Sequence, residues 1–260
     1  MANLDHLFKP LQTVETASGT QFIEYANAAE TSAEAPIDMS QVIKTGNMPA
    51  GIENPKAVAK ALLEIDSWLP FAAEAYQISG SLKDFIVTPT VIFLTDIPNS
   101  NKAAFPFEEM SAWNTQAGCI TYKSWKAKPA HIEHANGDPT KAAGVIFDAS
   151  MRSVPNYLGG LHRVVLLNGW DRNKYPETAN KIAAGRHGFS MGGFVSDYQC
   201  SVCAHSLRQG ECAHITKNGQ LKMELSGNKL VYRIARGVTG FECSAVANPA
   251  FRSAWGLPIG

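Results

Sequence analysis

The sequence has no excess of either charge: 23 basic residues stand against 23 acidic ones, a net of zero with histidine neutral. Such a surface offers no bulk attraction to phosphate backbones or anionic lipids, which argues against a primary nucleic-acid binder. Long apolar runs are also missing. No stretch approaches the roughly 20 apolar residues that a membrane span needs. The opening Met1-Ala-Asn-Leu-Asp-His6 has no basic segment followed by an apolar one, so no secretory leader is expected. No repeat of solenoid length and no βαβ rhythm is visible. Cysteine is scarce and odd in number, with three of the five crowded between 200 and 212. That crowding suits metal ligation in a reducing compartment better than a disulfide framework, and a cytoplasmic site of action is expected.

What remains is an ordinary globular composition, 45% hydrophobic over 260 residues, enough for one sizeable core. Residues 27–50 are rich in Ala, Ser, Thr, Glu and Pro. Residues 1–50 are therefore expected to form a poorly ordered N-terminal extension, and 51–260 the folded domain. From Pro55 onward, Val58, Leu62, Ile65 and Leu69 recur at helical spacing and predict a helix. Extended segments follow at 84–88, 90–95, 119–122, 144–147 and 161–168, with Pro89 separating the first two. Pro176 and Gly185 bracket a helix over 175–184. Ser226-Gly-Asn-Lys229 predicts a hairpin turn between 221–225 and 230–236. Two helices among many strands predict an α+β fold, a mainly antiparallel sheet or barrel flanked by helices.

Three groups of residues can carry chemistry. Gly188-Phe-Ser190-Met-Gly192 has the Gly-x-Ser-x-Gly form of a nucleophile elbow. Its surroundings do not suit an α/β-hydrolase acting on a small ester, because a helix precedes it and glycine and β-branched residues follow. The histidines downstream, His205 and His214, lie among the cysteines. His131-Ile-Glu-His134 is not the His-Glu-x-x-His pattern, so the metalloprotease template does not apply. On a strand those two rings would face opposite sides, and one of them alone would enter a site. Cys200-Ser-Val-Cys203 and, after eight residues, Cys212-Ala-His214 supply three thiolates and one imidazole. That is the donor set of a tetrahedral structural zinc site, with His205 as the alternative fourth ligand. A small zinc-knuckle insertion over about 198–216 is expected, pinning the loop after Ser190. Cys119 and Cys243 are expected to be buried small hydrophobes.

Four segments together carry a family likeness. His134, Asn136, Asp138-Pro139 and Gly144-Val-Ile-Phe-Asp-Ala149 form a histidine box, and Ser190 follows His134 by 56 positions. Asp171-Arg172-Asn-Lys-Tyr-Pro176 leads to Phe189-Ser190-Met191-Gly192. Thr88-Pro-Thr-Val-Ile-Phe93 through Pro98-Asn99 precedes them, and Phe241-Glu242-Cys-Ser244-Ala-Val246-Ala-Asn-Pro249-Ala250 closes the series. Over roughly residues 84–255 the chain resembles the phage prohead core protein proteases of T4-like and giant phages. That family is similar in fold to herpesvirus assemblins, small β-barrels surrounded by helices.

The resemblance implies a serine endopeptidase that matures capsids, with Ser190 as nucleophile, His134 as general base and Glu242 as the acid orienting it. His131 is the rival base; Asp148 and Asp197 are the rival acids. Implied partners are phage scaffold, core and major capsid precursor proteins, with self-association compatible and neither nucleic acid nor membrane involved. The implied location is the host cytoplasm, inside the assembling prohead. No cofactor is implied for catalysis, and the knuckle departs from the minimal family pattern. The non-enzyme alternative is a zinc-stabilised structural or scaffold protein of the head.

Overall fold

The computed structural model describes residues 12–16, 19–27, 36–48, 50, 52, 55–154, 160–184 and 188–246. The first elements are β1 (Gln12–Thr16), β2 (Gly19–Asn27) and β3 (Ile37–Asp38), then the helices α1 (Met39–Thr45), α2 (Pro55–Leu63) and α3 (Leu69–Tyr76). After them come β4 (Phe85–Leu94), β5 (Ala103–Ala104), α4 (Phe107–Ser111), β6 (Trp113–Asn114) and β7 (Cys119–Ile120). The central elements are β8 (Pro129–Ile132), β9 (Gly144–Ser153), β10 (His162–Asp171), α5 (Pro176–Ala183) and β11 (Gly188–Cys200). The chain returns through β12 (Leu225–Ser226), β13 (Lys229–Leu230) and β14 (Arg233–Val246).

Ten strands share one sheet in the order β1-β2-β11-β14-β8-β9-β10-β4-β3, with β5 beside β14. The architecture is a mixed α+β fold built on a mostly antiparallel sheet. β14 departs from that pattern, running parallel to both β8 and β5. One core cluster gathers Ile146, Leu166, Trp170, Met191, Val195 and Ala245 with Ala179 and Ile182 of α5. A second lies where α1, α2 and α3 press Met39, Val58, Leu62 and Leu69 against Phe85, Val87, Phe147 and Leu167. Each of the larger aliphatic and aromatic side chains contributes on the order of 1.5–3 kcal/mol by leaving water, and each alanine less. No helix among the described residues is long and apolar enough to cross a membrane.

Several local readings are refined by the structure. The helix expected from Pro55 ends at Leu63 and is followed by a 3-10 turn, Ile65–Ser67, before α3 begins. Pro70 lies in the first turn of α3, where its missing amide N–H costs no helical bond, so it suits the start of this second helix. Val58, Leu62, Ile65 and Leu69 are nevertheless all buried, as their spacing requires. Pro89 does not divide two strands. β4 runs through it, because β3 pairs on that side with Ile86 and Val87 alone and leaves Pro89 no ladder bond to donate. After Cys119–Ile120 the chain turns into a 3-10 helix over Thr121–Trp125 in place of a longer strand. The hairpin turn at Gly227-Asn228 forms, joining two-residue strands, and Gly227 takes φ 59 there. Gly185, the expected helix stop, lies outside the described residues.

Part of the expected poorly ordered extension belongs to the sheet. β1 and β2 form an antiparallel pair, and β2 lies along β11 from Ser190 to Val195. Backbone pairing explains the difference: β1 and β2 precede the stretch rich in small and polar residues, and β2 satisfies the edge of β11 with its main chain.

Candidate functional site

Side chains directly opposite each other on paired strands share a face of the sheet. Ser190 on β11 lies opposite Ser244 on β14, and Ser244 is in turn in register with His131 on β8. Ser190, Ser244 and His131 therefore form a lateral row on one face, and all three are buried. Glu242 precedes Ser244 by two positions and joins the same face, opposite Gly192. The ladder shifts register between Gly192 and Gly193, a bulge beside the site.

Gly192 is required by contact. A Cβ on it would lie 2.7 Å from Glu242 Cγ and 2.8 Å from Glu242 Oε1, so the carboxylate occupies the volume that a side chain would fill. Trp125 donates its indole N–H to the Gly192 carbonyl at 3.1 Å and holds this stretch of β11 from behind.

His134 lies beyond the end of β8, in a turn where Glu133 and His134 both take positive φ, 51° and 55°. Two consecutive left-handed residues that are not glycine carry backbone strain, on the order of 1 kcal/mol each. They swing the His134 ring back over the sheet. The expectation that strand alternation would send His131 and His134 to opposite sides is corrected here, because the strand has already ended. His134 Nδ1 is 2.8 Å from Glu242 Oε1, and Ser244 Oγ donates to Glu242 Oε2 at 2.6 Å. Glu242 is wholly enclosed while the His134 side chain is 28% exposed. Both oxygens of the buried carboxylate thus have a partner, which is what keeps a buried charge tolerable.

His131 is the second imidazole near Glu242. Burial holds its pKa below the ordinary histidine value, against the pull of the Glu242 charge and a hydrogen bond with the Lys141 backbone. Its Nδ1 is buried without a hydrogen-bond partner, as is Ser190 Oγ. The rival acids are engaged elsewhere: Asp148 pairs with Lys123 at 2.8 Å, and Asp197 accepts the Arg208 backbone N–H at 3.3 Å. Ser190 lies inside a strand and not at a strand-to-helix elbow. Pro249 and Ala250 of the closing motif lie outside the described residues. The closing motif contains Ser244 without a role for it, although Glu-x-Ser on a strand places both side chains on one face.

The cysteine cluster closes the far end of the β11–β14 ribbon, where Cys200 pairs with Arg233. One donor atom from each of Cys200, Cys203, Cys212 and His214 lies within 4.8 Å of the others, so the group can hold a metal ion. Around tetrahedral zinc, thiolates stand about 3.8 Å apart, which this spacing admits. His214 Nδ1 faces Cys200 Sγ at 3.6 Å and Cys212 Sγ at 4.0 Å, while its Nε2 meets Ser226 Oγ at 3.1 Å. That outer contact fixes Nδ1 as the inward atom, as outer-shell partners of ligating histidines do. His205 is not part of the group. Burial pushes the Cys200 thiol up to about 11, while backbone donation from His205 brings Cys203 down to about 7. Cys243 is fully buried as expected, and burial raises its thiol strongly; Cys119 is half-buried.

No protein-family model matches the chain, and no curated protein does. Among solved structures, the capsid assembly protease of bacteriophage T4 is similar at 18% identity with a TM-score of 0.36. That match covers 64% of this chain and 84% of the phage protein.

Proposed function

We propose that this chain is a serine endopeptidase with Ser190 as nucleophile, His134 as general base and Glu242 as the orienting acid. Its proposed substrates are the scaffold, core and major capsid precursors of a phage prohead, cleaved within the host cytoplasm. One observation supports the chemistry above all: a fully buried carboxylate bonded to His134 Nδ1, on the strand next to Ser190. The biological setting is supported by the four ordered motifs, from Thr88 to the Glu242-x-Ser244 element.

The roles follow from the atoms. Glu242 accepts the Nδ1 proton of His134, which fixes the tautomer and leaves Nε2 as the basic nitrogen. In attack, Nε2 takes the Ser190 proton as Oγ bonds to the scissile carbonyl carbon, and Glu242 stabilises the imidazolium formed. The proton then passes to the leaving amine, and water, deprotonated by the same nitrogen, hydrolyses the acyl-enzyme. Ser190 is fully enclosed in this conformation. Acylation therefore requires the surroundings of β11 to open. The cluster of Cys200, Cys203, Cys212 and His214 is proposed to hold structural zinc, with no part in the chemistry.

That enclosure also favours a second reading, a zinc-stabilised structural head protein. The two are separated by labelling with a fluorophosphonate and by cleavage of scaffold protein. Endopeptidase activity predicts an adduct on Ser190 and precursor cleavage, with Ser190→Ala and His134→Ala each lowering turnover by on the order of 10⁴ or more. Glu242→Gln is expected to be impaired, though less severely. Absence of both adduct and cleavage in the wild-type protein leaves the structural reading standing.

A further inference from the structure

Ser244 is buried at the centre of the site and has no part in the triad as just described. Its hydroxyl donates to Glu242 Oε2, the oxygen that His134 does not use. It also separates Ser190 from His131 in the lateral row, one strand from each. We propose that Ser244 is a positioning residue: it fixes the plane of the Glu242 carboxylate so that Oε1 stays aimed at His134. The proposal rests on the triad reading above.

A carboxylate ends in a torsion with a broad, shallow energy profile, so one hydrogen bond alone does not fix its rotation. Gly192 leaves room for the group but supplies no donor to it. In this setting a second donor does two things. It prevents Oε2 from being stranded without a partner in an enclosed site, and it prevents the carboxylate from turning away from His134. The titratable groups around Glu242 are His134 in the turn, His131 on β8 and the adjoining Cys243, whose thiol is raised by burial and by the Glu242 charge. On the β11 side the facing residues, Ser190 and Gly192, bear no charge. Withdrawing the Ser244 donor lets the carboxylate turn, which weakens its contact with Nδ1 and removes support from protonated His134.

The test uses the full chain and a small fluorophosphonate, with the second-order labelling rate of Ser190 measured across pH and the adduct mapped by peptide mass. Ser244→Ala is expected to lower the plateau rate by roughly ten- to a hundredfold, the range for a hydrogen bond to a charged group. The acid limb of the profile is also expected to move to lower pH, because the oriented carboxylate is what favours the charged ring. Ser244→Cys, near in size but a weak donor, is expected to behave alike and serves if the alanine variant does not fold. In a Glu242→Gln background, removing the hydroxyl is expected to have little further effect, since the two groups act as one unit. Wild-type rate and profile in Ser244→Cys, an equal loss in both backgrounds, or an adduct on Ser244 overturns the proposal. If Glu242→Gln and His134→Ala label at the wild-type rate, the triad reading itself fails. If those two are slow and the Ser244 variants are not, only the positioning role falls.

Discussion

Replacing Gly192 by alanine places a methyl group where the Glu242 side chain now lies. The added Cβ would be 2.7 Å from Glu242 Cγ and 2.7 Å from Phe241 Cζ. Carbon atoms in contact stand roughly 3.5 Å apart, so each of the two partners must give by about 0.8 Å. Glu242 is enclosed and held at both oxygens, so any movement it makes is at the expense of its 2.8 Å bond to His134. Lengthened to about 3.6 Å, that contact is no longer a hydrogen bond. Overpacking costs roughly 1–3 kcal/mol, offset by up to about 1 kcal/mol from stiffening the unfolded chain. A loss of roughly 2–8 °C in melting temperature follows. The effect on function is larger, because the orienting acid is lost, and labelling is expected to fall toward the level of Glu242→Gln. Gly193→Ala is the internal control. Its Cβ would meet Trp125 Cζ2 at 3.4 Å, ordinary contact, and both stability and labelling are expected to stay near wild type. The assay is fluorophosphonate labelling of Ser190 alongside thermal melting for the two variants. A Gly192→Ala protein that melts and labels as wild type refutes the reasoning, as does a Gly193→Ala protein damaged to the same degree.

Metal analysis of protein purified under reducing conditions without chelator is expected to give one zinc per chain, and Cys200→Ser or His214→Ala to abolish it; zinc-free wild-type protein rules out the assignment. His131 is buried with a lowered pKa, so its neutral form contributes stability that is complete above about pH 6.5 and is lost as pH falls toward the lowered folded value. Melting of the wild type is therefore expected to fall more steeply below pH 6.5 than melting of His131→Asn, and parallel curves speak against it. Glu133 holds φ 51, so Glu133→Gly is expected to raise stability by about 1 kcal/mol in chemical denaturation; a destabilised variant shows that the side chain matters more than the strain.

The parts of this molecule legible in the sequence are those that local pattern controls. The buried stripe from Val58 to Leu69, the strands around Val145 and Val164, the start of α5 at Pro176 and the convergence of three cysteines with His214 all follow from spacing. What escaped notice depends on neighbours distant in the chain. Pro89 passes through a strand because of what β3 leaves uncovered, and β2 is a strand because β11 has an edge to fill. Within the site, Glu242 and His134 were singled out by motif, and the structure brings them into contact. The part played by Ser244 and the need for glycine at 192 follow from the register of β11 against β14.

Chain order and spatial order disagree at the site. The segment holding His131 and His134 comes first, Ser190 on β11 second, and Glu242 on β14 last, yet β14 lies between β11 and β8 in the sheet. The strand that joins them is therefore a late wedge, and its parallel pairing with β8 spans more than a hundred positions of chain. Contacts of such long range form slowly and late in folding. On the proposed chemistry, a partly folded or newly made chain has a serine and a histidine but no carboxylate to set the proton. Hydrolytic competence then arrives with the completed fold, which protects the chain and its neighbours from premature digestion during synthesis.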